Sequence, residues 1–542
     1  MNAQRVRVKL AYKQRQAQVF HLQAHYAIEP GYADSTFAQA YRGLFALLLA
    51  PKDRRQLILG QRLPKHDPSV VLKSKPQNPE TAEIVLRAKQ ASDYFLLVGP
   101  PGTGKTSVAL KAMVEELLLE SPKQNLLLMA YTNRAVDEIC QMLEGLEGRP
   151  EYVRIGQELS CEKEYRHRLI KNKIKNARKR KEIFDLLEPV QVFVGTISSI
   201  AGRTELFELK HFHTALVDEA SQVLEPQLLP LLCATTSKPS LEYGGNPCAI
   251  GKFILIGDHK QLPAVVLQEP ECSEVTDEQL RAIGLTNCRN SLFERWHNLQ
   301  LMMHTEQYTV GWLHRQGRMH ENLCDFVNEC FYNRKLDLVP LPHQKGCLET
   351  EYRGTDRWMQ LVASRRMAFV PAIPETDAEN ARPWTTENCK VNRDEATVTA
   401  NIVEAFYRLH ETENDWNPAR RIGVIVPFRG QIAMVRKELA TRNLKDCEKI
   451  TIDTVERYQG SQRDVIVFST TIRRPEQMDM LSVPVQTEGQ WIDRKLNVAL
   501  TRARKQFFLT GNPHLLNRSD NYRALLEYIE KLNDSLDDES LL

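Results

Sequence analysis

The chain has 542 residues, of which 42% are apolar and 26% are charged, and its 72 Lys and Arg residues nearly balance 69 Asp and Glu. This composition is typical of a folded globular protein and excludes a disordered or collagen-like chain. At roughly 100 to 200 residues per domain, the length predicts about three domains. No apolar run approaches the ~20 residues that a membrane-spanning helix needs.

Residues 1–75 are predicted to form a small N-terminal accessory segment. Val6, Val8, Leu10 and Tyr12 alternate with basic residues, which indicates a strand with one basic face and not a targeting peptide. An apolar helix is expected around residues 44–49. The segment either packs on the following domain or belongs to a longer parent chain, and the sequence leaves both alternatives open.

Two series of short apolar runs follow, and each run precedes a helical pattern. Such runs predict parallel sheets that are covered by helices on both faces. The fold class is therefore α/β, with one domain over residues 76–298 and a second over residues 299–542. The predicted strands are 94–98, 126–130, 190–194, 214–217 and 253–256 in the first domain, and 367–370, 422–426, 450–455, 465–468 and 507–510 in the second.

Residues 141–189 interrupt the first series and are predicted to form a helical basic insertion. Within it, Cys161 to Lys181 contains ten Lys and Arg residues and two Glu residues. The segment is either a solvated helix face, with Ile170, Ile174 and Ala177 at helical spacing, or a contact for a nucleic-acid backbone. Residues 234–250 are expected to form a surface loop, and the acidic tail at 533–542 is expected to fray.

Eleven cysteines are present without a C-x-x-C pair, which argues against a zinc or iron–sulfur site. Their distribution favours reduced cysteines in an intracellular, soluble protein. Cytoplasm and nucleus are not distinguished by the sequence, and no membrane contact is predicted.

A G-x-x-x-x-G-K-[ST] motif follows the first predicted strand and opens a helix. In that context, backbone N–H groups surround a phosphate, the helix N-terminus favours its charge, Lys105 adds a cation and the Thr106 hydroxyl binds Mg²⁺. The motif predicts a nucleoside triphosphate site. Its residues are Gly99, Pro100, Pro101, Gly102, Thr103, Gly104, Lys105 and Thr106.

Asp218 and Glu219 follow another apolar strand. In a phosphate-loop enzyme, two adjacent acids at this position have different roles. Asp218 is expected to hold Mg²⁺ together with Thr106, while Glu219 orients or deprotonates the attacking water.

Further motifs stand at the ends of the other predicted strands and helices, in a fixed order. Together they resemble a superfamily 1B helicase of the group that contains the nonsense-mediated-decay RNA helicase, senataxin and the Okazaki-fragment helicase-nuclease. The resemblance covers about residues 76–520. The segments that carry it are 130–137, 195–199, 218–222, 257–263, 316–320, 392–396, 427–431, 454–460 and 496–504.

The resemblance implies two tandem RecA-like domains with the nucleotide between them. It implies that Gln261 senses the γ-phosphate, that Arg318 and Arg502 are arginine fingers, and that Gly460 lines the nucleotide site. A guanidinium suits this role because it stabilises the charge on the transferred phosphoryl group. Six residues match positions that contact a single strand: Thr132, Asn133, Thr196, Ser199, Pro427 and Thr454.

Two positions depart from the family pattern. Gly317 stands where many relatives have a tyrosine that stacks on adenine, and Thr81 stands where a glutamine reads the base. These departures predict weak base selectivity, so that other nucleoside triphosphates also support turnover. No regulatory Cys/His-rich domain and no nuclease motif is found in the sequence.

The expected function is a nucleic-acid-dependent ATPase that translocates on single-stranded DNA or RNA and unwinds duplexes. The resemblance implies movement from 5′ to 3′. The protein is expected to be a monomer, with protein partners unassigned. One alternative is an ATP-gated clamp or nucleoprotein remodeller that grips and releases without processive unwinding. Another is a phosphate-loop NTPase that acts on protein or small molecules, which the ordered strand-contact motifs oppose.

Overall fold

A computed structural model describes residues 35–121, 124–236, 247–266, 268, 271–348, 350–372, 390–458 and 460–539. Residues 39–542 form one compact unit, and every contact discussed below lies within it. The predicted basic strand at residues 6–12 and the centre of the predicted loop at 234–250 lie outside the described residues. No helix in the described part of the chain is both long and apolar enough to cross a membrane.

The helices have short connections and alternate with the strands through most of the chain. In chain order they are α1 (Ser35–Leu49), α2 (Lys52–Ile58), α3 (Pro79–Gln90), α4 (Lys111–Glu120), α5 (Asn133–Glu144), α6 (Ile170–Lys173), α7 (Arg180–Leu187), α8 (Ile197–Ala201), α9 (Glu205–Leu209), α10 (Glu225–Leu232), α11 (Glu278–Ala282), α12 (Leu292–Met303), α13 (Glu306–Thr309), α14 (Glu321–Phe331), α15 (Arg357–Ser364), α16 (Arg393–His410), α17 (Pro418–Arg421), α18 (Arg429–Ala440), α19 (Val455–Tyr458), α20 (Met478–Leu481), α21 (Arg494–Leu500), α22 (Pro513–Leu516) and α23 (Asp520–Glu539).

The strands form two main sheets and two small pairs. In chain order they are β1 (Tyr94–Val98), β2 (Leu126–Ala130), β3 (Tyr152–Ile155), β4 (Val192–Thr196), β5 (Phe212–Asp218), β6 (Ile250–Gly257), β7 (Val310–Trp312), β8 (Arg315–Gln316), β9 (Asp337–Leu338), β10 (Met367–Pro371), β11 (Ile422–Ile425), β12 (Thr451–Asp453), β13 (Arg463–Ser469), β14 (Pro484–Thr487), β15 (Gln490–Asp493) and β16 (Ala503–Gly511).

The first sheet has seven strands in the order β3-β4-β2-β5-β6-β1-β7, and the second has five in the order β10-β16-β13-β11-β12. All pairings in both sheets are parallel. Along β1, Leu96 and Val98 enter one apolar core while Phe95 and Leu97 enter another, so both faces of the sheet are buried. The α/β class and its two series of parallel strands are therefore confirmed. Parallel strands also bring their carboxyl ends to one edge of each sheet.

Two strands differ from the expected domain plan. β7 pairs with β1 in the first sheet, although it lies beyond the expected boundary at residue 299. Its three residues include Gly311, so it is too short to show a strand pattern in the sequence. β3 lies inside the expected helical insertion and forms the edge of the first sheet beside β4. Its Arg154 is buried in an ion pair with Asp137 of α5. This charged residue interrupts the apolar run that would have indicated a strand in the sequence.

At both ends of the chain the structure is more specific than the sequence predictions for residues 1–75 and 533–542. Ala50, Leu57 and Ile58 enter a core of the first sheet, and Arg54 Nη2 donates to the Ile250 carbonyl at 2.8 Å. The accessory segment therefore packs on the first α/β domain over these residues. At the other end, α23 continues to Glu539 and includes most of the tail that was expected to fray. Residues 540–542 lie outside the described residues.

Candidate nucleotide and strand-binding site

The phosphate loop connects β1 to the helical segment that begins at Lys105. Gly102 and Gly104 have φ values of +77° and +78°, a backbone region that favours glycine. The Lys105 ammonium donates to the Gly99 carbonyl at 2.6 Å. A Cβ on Gly99 would lie 2.3 Å from Lys105 Cγ, so the loop needs glycine there for the lysine to fold across it.

A hydroxyl and a carboxylate meet behind this loop. The Thr106 Oγ1 donates to Asp218 Oδ2 at 2.6 Å, and Asp218 is 3% exposed at the end of β5. Burial and the neighbouring Glu219 charge raise the pKa of Asp218 to about 6. A buried carboxylate beside a hydroxyl supplies the hard oxygen donors that Mg²⁺ prefers, so this pair fits the predicted metal position.

Glu219 stands next to this pair in an unusual backbone conformation. Its φ is +56°, which is uncommon for a residue with a side chain and is found where the surroundings enforce it. Its Oε2 accepts a hydrogen bond from Gln222 Nε2 at 2.6 Å, which holds the carboxylate in one orientation. A carboxylate held in this way suits the expected orientation of a water molecule.

Gln261 links the two halves of the molecule. The first half is built around the seven-stranded sheet and the second around the five-stranded sheet. Its Nε2 donates to Asp258 Oδ2 at 2.7 Å, and its Oε1 accepts from Arg502 Nη2 at 3.2 Å. Gln261 is 5% exposed and follows β6 in the first half, whereas Arg502 precedes β16 in the second. The structure therefore brings together two residues that are 241 positions apart in the chain.

Both predicted arginine fingers lie against the first half. Gly317 N donates to the Gly102 carbonyl at 2.9 Å, and a Cβ on Gly102 would lie 2.5 Å from the Arg318 Cβ, so Arg318 adjoins the phosphate loop. Arg318 donates to Gln462 Oε1 at 2.8 Å, and burial together with the Arg502 charge lowers its pKa to about 9. Burial lowers the pKa of Arg502 to about 10. Two neighbouring guanidinium groups concentrate positive charge, which a polyphosphate would neutralise.

The remaining nucleotide-site positions are less tightly defined. Gly460 is exposed with a φ of +78°, and a Cβ there would lie 3.8 Å from Glu138 Oε1 of the first half. Thr81 is 2% exposed in the first turn of α3, where its N–H donates to the Asn78 side chain at 2.8 Å. At Gly317, a Cβ would meet Leu341 at 3.2 Å.

The six predicted strand contacts occupy the carboxyl edges of the two sheets. Thr132 follows β2 and Thr196 ends β4, and these two strands are neighbours. Pro427 follows β11 and Thr454 follows β12, which are likewise neighbours. Thr132 and Asn133 are exposed, whereas Thr196 is buried and its Oγ1 lies 2.7 Å from Ser199 Oγ. Thr132 and Thr196 also cap the helices that follow them, which shows a structural use of both hydroxyls.

The basic insertion is not a continuous helix. α6 covers four residues and α7 begins only at Arg180, with short turns between them. Ile170 and Ile174 pack against a core of the first sheet. Four of the ten cations at residues 161–181 form ion pairs with acids that precede this stretch, namely Arg166 and Lys171 with Glu158, Arg168 with Glu144 and Lys173 with Glu151. Among the described residues, no ion pair involves the exposed Lys175, Arg178, Lys179, Arg180 or Lys181.

Some residues of the recognised motifs form a buried network to which the sequence had assigned no role. Glu395 is fully buried on α16, and its carboxylate accepts from Ser469 Oγ at 2.8 Å and from the Thr471 N–H at 2.6 Å. Gln431 Oε1 accepts from the Asn392 N–H at 2.8 Å. This network joins α16 and α18 to the carboxyl end of β13, so these motif residues stabilise the second half.

Residues outside the recognised roles also contact the site. Tyr332 donates to Asp258 Oδ2 at 2.7 Å, and Asn497 Nδ2 donates to the Lys260 carbonyl at 2.7 Å. Glu488 lies 3.0 Å from His259 Nε2 and 2.8 Å from Lys260 Nζ. Asn497 belongs to a recognised motif and was identifiable as a candidate there. Tyr332 and Glu488 carry no sequence signal, because only the packing of the two halves brings them to this loop.

Comparisons with known proteins find family models and relatives that match this chain. Two family models match the chain, and each is described as an AAA domain. One matches residues 76–181 and 159–269, and the other matches residues 288–514. The DNA replication ATP-dependent helicase/nuclease JHS1 of Arabidopsis thaliana is 27% identical over 494 residues, covering 88% of this chain and 32% of the relative. The DNA polymerase alpha-associated DNA helicase A of Saccharomyces cerevisiae is 25% identical over 489 residues, covering 79% of this chain and 64% of the relative. The chain thus spans less than two thirds of the length of either relative.

Among solved structures, S. cerevisiae Dbp5 bound to RNA and ADP BeF3 aligns over 92% of this chain and 93% of that chain, with 12% identity and a TM-score of 0.37. The two family models together match residues 76–269 and 288–514, which is most of the chain. The chain belongs to the superfamily 1 helicases, and its two halves carry the AAA helicase domains of that family.

Proposed function

We propose that this protein is a nucleic-acid-stimulated ATPase that moves along single-stranded DNA, from 5′ to 3′, and separates duplexes. The observation that carries the proposal is the contact between Arg502 of the second half and Gln261 of the first, 3.2 Å apart at Nη2 and Oε1. Such a contact makes the catalytic arrangement dependent on how the two halves meet, as a motor requires.

The first half supplies the groups that bind the triphosphate. The N–H groups of the phosphate loop and the Lys105 ammonium would bind the phosphate oxygens, with Lys105 leaving the Gly99 carbonyl to do so. Thr106 and Asp218 would hold Mg²⁺, which supplies charge neutralisation at the phosphates. Glu219, oriented by Gln222, would accept a proton from the attacking water.

The second half supplies the groups that stabilise the charge of the transition state. Arg318 adjoins the phosphate loop at Gly102, and the Arg502 guanidinium donates to Gln261. They would stabilise the charge that spreads over the transferred phosphoryl oxygens, but only while the halves are docked. Hydrolysis and release of the γ-phosphate would remove the negative charge that attracts these guanidinium groups and so weaken the docking.

The carboxyl edges of the two sheets supply a path for the strand. Thr132, Asn133, Thr196 and Ser199 belong to the first sheet, and Pro427 and Thr454 to the second. Hydroxyl and amide groups at these positions suit phosphate and sugar contacts, which hold a strand without reading its sequence. Opening and closing between the two groups of contacts would advance the protein along the strand.

DNA is the proposed substrate because one relative described above is named as a DNA replication helicase/nuclease and the other as a DNA helicase. The test is an ATPase titration of the full chain with homopolymeric single-stranded DNA and RNA, followed by a forked-duplex assay with a 5′ or a 3′ tail. We expect DNA to stimulate turnover and the 5′-tailed fork to be separated. Turnover that neither polymer stimulates would contradict the proposal, and stimulation without strand separation would favour the clamp.

A further inference from the structure

The loop at residues 258–261, which contains the proposed γ-phosphate sensor, is held by the second half at every residue. The contacts come from four side chains of different elements. They are Tyr332 on Asp258, Glu488 on His259 and on Lys260, Asn497 on the Lys260 carbonyl, and Arg502 on Gln261. Among the described residues, no other loop of the phosphate site has four consecutive residues that each contact a side chain of the second half.

Glu488 reaches this loop from the tip of the hairpin formed by β14 and β15. Glu488 and Gly489 are the two turn residues, with φ values of +49° and +80°. A turn of this kind favours Asn, Asp or Gly at both positions. A glutamate in this conformation is unfavourable locally, and its longer side chain gains contacts that a typical turn residue would not make.

The contact has an electrostatic consequence, because Lys260 is 0% exposed. Within the described part of the chain, Glu488 is the only carboxylate paired with its ammonium, at 2.8 Å. A buried cation without a partner is strongly unfavourable. Burial of Lys260 therefore requires the hairpin of the second half to be docked on the first.

His259 completes the cluster. Its Nε2–H donates to Glu488 Oε1 at 3.0 Å, and its ring stacks on His297 with centroids 4.5 Å apart. His259, His297 and Glu488 could present ligand atoms within 4.8 Å of one another. The Lys260 ammonium already binds this carboxylate, however, so a metal ion would be placed beside a cation. The cluster is therefore better explained as an ion pair than as a metal site.

From these contacts we infer that Glu488 is a positioning residue that couples the 484–493 hairpin of the second half to the γ-phosphate-sensing loop at 258–261. The inference depends on the proposed ATPase function. When the halves dock, Glu488 neutralises Lys260 and fixes the backbone that carries Gln261. When they separate, Lys260 loses its partner, so the position of the hairpin and the state of the sensor change together.

The test compares Glu488→Gln with Glu476→Gln, an exposed acid in the same half, in the full chain. Turnover is measured at saturating single-stranded DNA, and affinity is measured with a non-hydrolysable ATP analogue. For Glu488→Gln we expect stimulated turnover to fall at least tenfold, with analogue affinity changed less than threefold. Glu476→Gln should stay within twofold of the wild type in both measurements.

A second variant, Lys260→Met combined with Glu488→Gln, separates coupling from folding. Removal of the unpaired cation should restore the thermal unfolding midpoint that Glu488→Gln lowers, without restoring stimulated turnover. The inference is overturned if Glu488→Gln retains turnover within twofold, if its affinity and turnover fall together, or if the double variant regains full turnover. If the wild type itself shows no stimulation by DNA, the proposed function has failed and the inference falls with it.

Discussion

Arg502 donates to Gln261 across the two halves of the chain, with 3.2 Å between Nη2 and Oε1. The same guanidinium donates to the Val498 carbonyl at 3.1 Å, so its position is fixed within the second half before it meets the first. Gln261 is fixed in turn by Asp258 at 2.7 Å. Because the donor and the acceptor are each held within their own half, the hydrogen bond between them forms only when the two halves are in the right relative position.

The first prediction concerns ATP hydrolysis. Lys105→Ala, Glu219→Gln and Arg502→Ala should each nearly abolish turnover, and Arg502→Ala should lower it by about 10³-fold, as the loss of an arginine finger does. Lys105→Ala should also weaken nucleotide binding, whereas the other two should act on chemistry. Arg504→Ala is the matched control, because the half-buried Arg504 is directed to Asp464 of the second half, at 3.0 Å. Arg502→Ala with turnover close to the wild type would contradict the assignment of the cleft.

The second prediction concerns nucleotide selectivity. Gly317 has no ring to stack on a base, and Thr81 is buried in α3. GTP should therefore support turnover within about tenfold of ATP, a difference below roughly 1.4 kcal/mol. Competition between nucleotides in the ATPase assay measures it. A hundredfold preference for ATP would mean that another side chain reads adenine.

The third prediction concerns the basic insertion. Because Lys171 is paired with Glu158 at 2.5 Å, the informative positions are the exposed Lys175, Arg178 and Lys179. If they contact phosphates, a triple variant with neutral residues at these positions should bind a single strand more weakly. The slope of the logarithm of the binding constant against the logarithm of salt concentration should become shallower by about 0.7 per lost contact. Turnover at saturating nucleic acid should change little. Lys171→Gln serves as a control, and an unchanged slope in the triple variant would favour the solvated face.

The fourth prediction concerns pH. Burial raises the pKa of Glu395 from 4.5 to about 8. The folded protein keeps this proton where the unfolded chain releases it, so stability should fall as the pH rises from about 4.5 to about 8. At about 1.4 kcal/mol per pH unit, the loss between pH 4.5 and 7 is roughly 3 kcal/mol.

Thermal unfolding of the wild type and Glu395→Gln across this range measures the effect. The variant does not titrate at this position, so the difference in unfolding midpoint between the two proteins should change with pH. A constant difference would show that Glu395 is ionised in the folded state.

The sequence by itself determined the local parts of this protein. The predicted strands at 94–98 and 126–130 are β1 and β2 at their full lengths, because a continuous apolar run has no stable position except between two layers of helices. The phosphate loop was identifiable for a similar reason, since its glycines and Lys105 act through neighbouring backbone. β3 and β7 were missed, because an edge strand can be short or contain a buried charge.

Only the tertiary structure decided which residues meet. Glu488 contacts Lys260 from 228 positions away in the chain, and its spacing from other motifs carries no signal. The basic stretch at residues 161–181 was judged from its own two acids, whereas the acids that pair with four of its cations are Glu144, Glu151 and Glu158, which precede that stretch. Ion pairs and packing contacts depend on distances in space, and the fold sets those distances by placing the domains of the two sheets against each other.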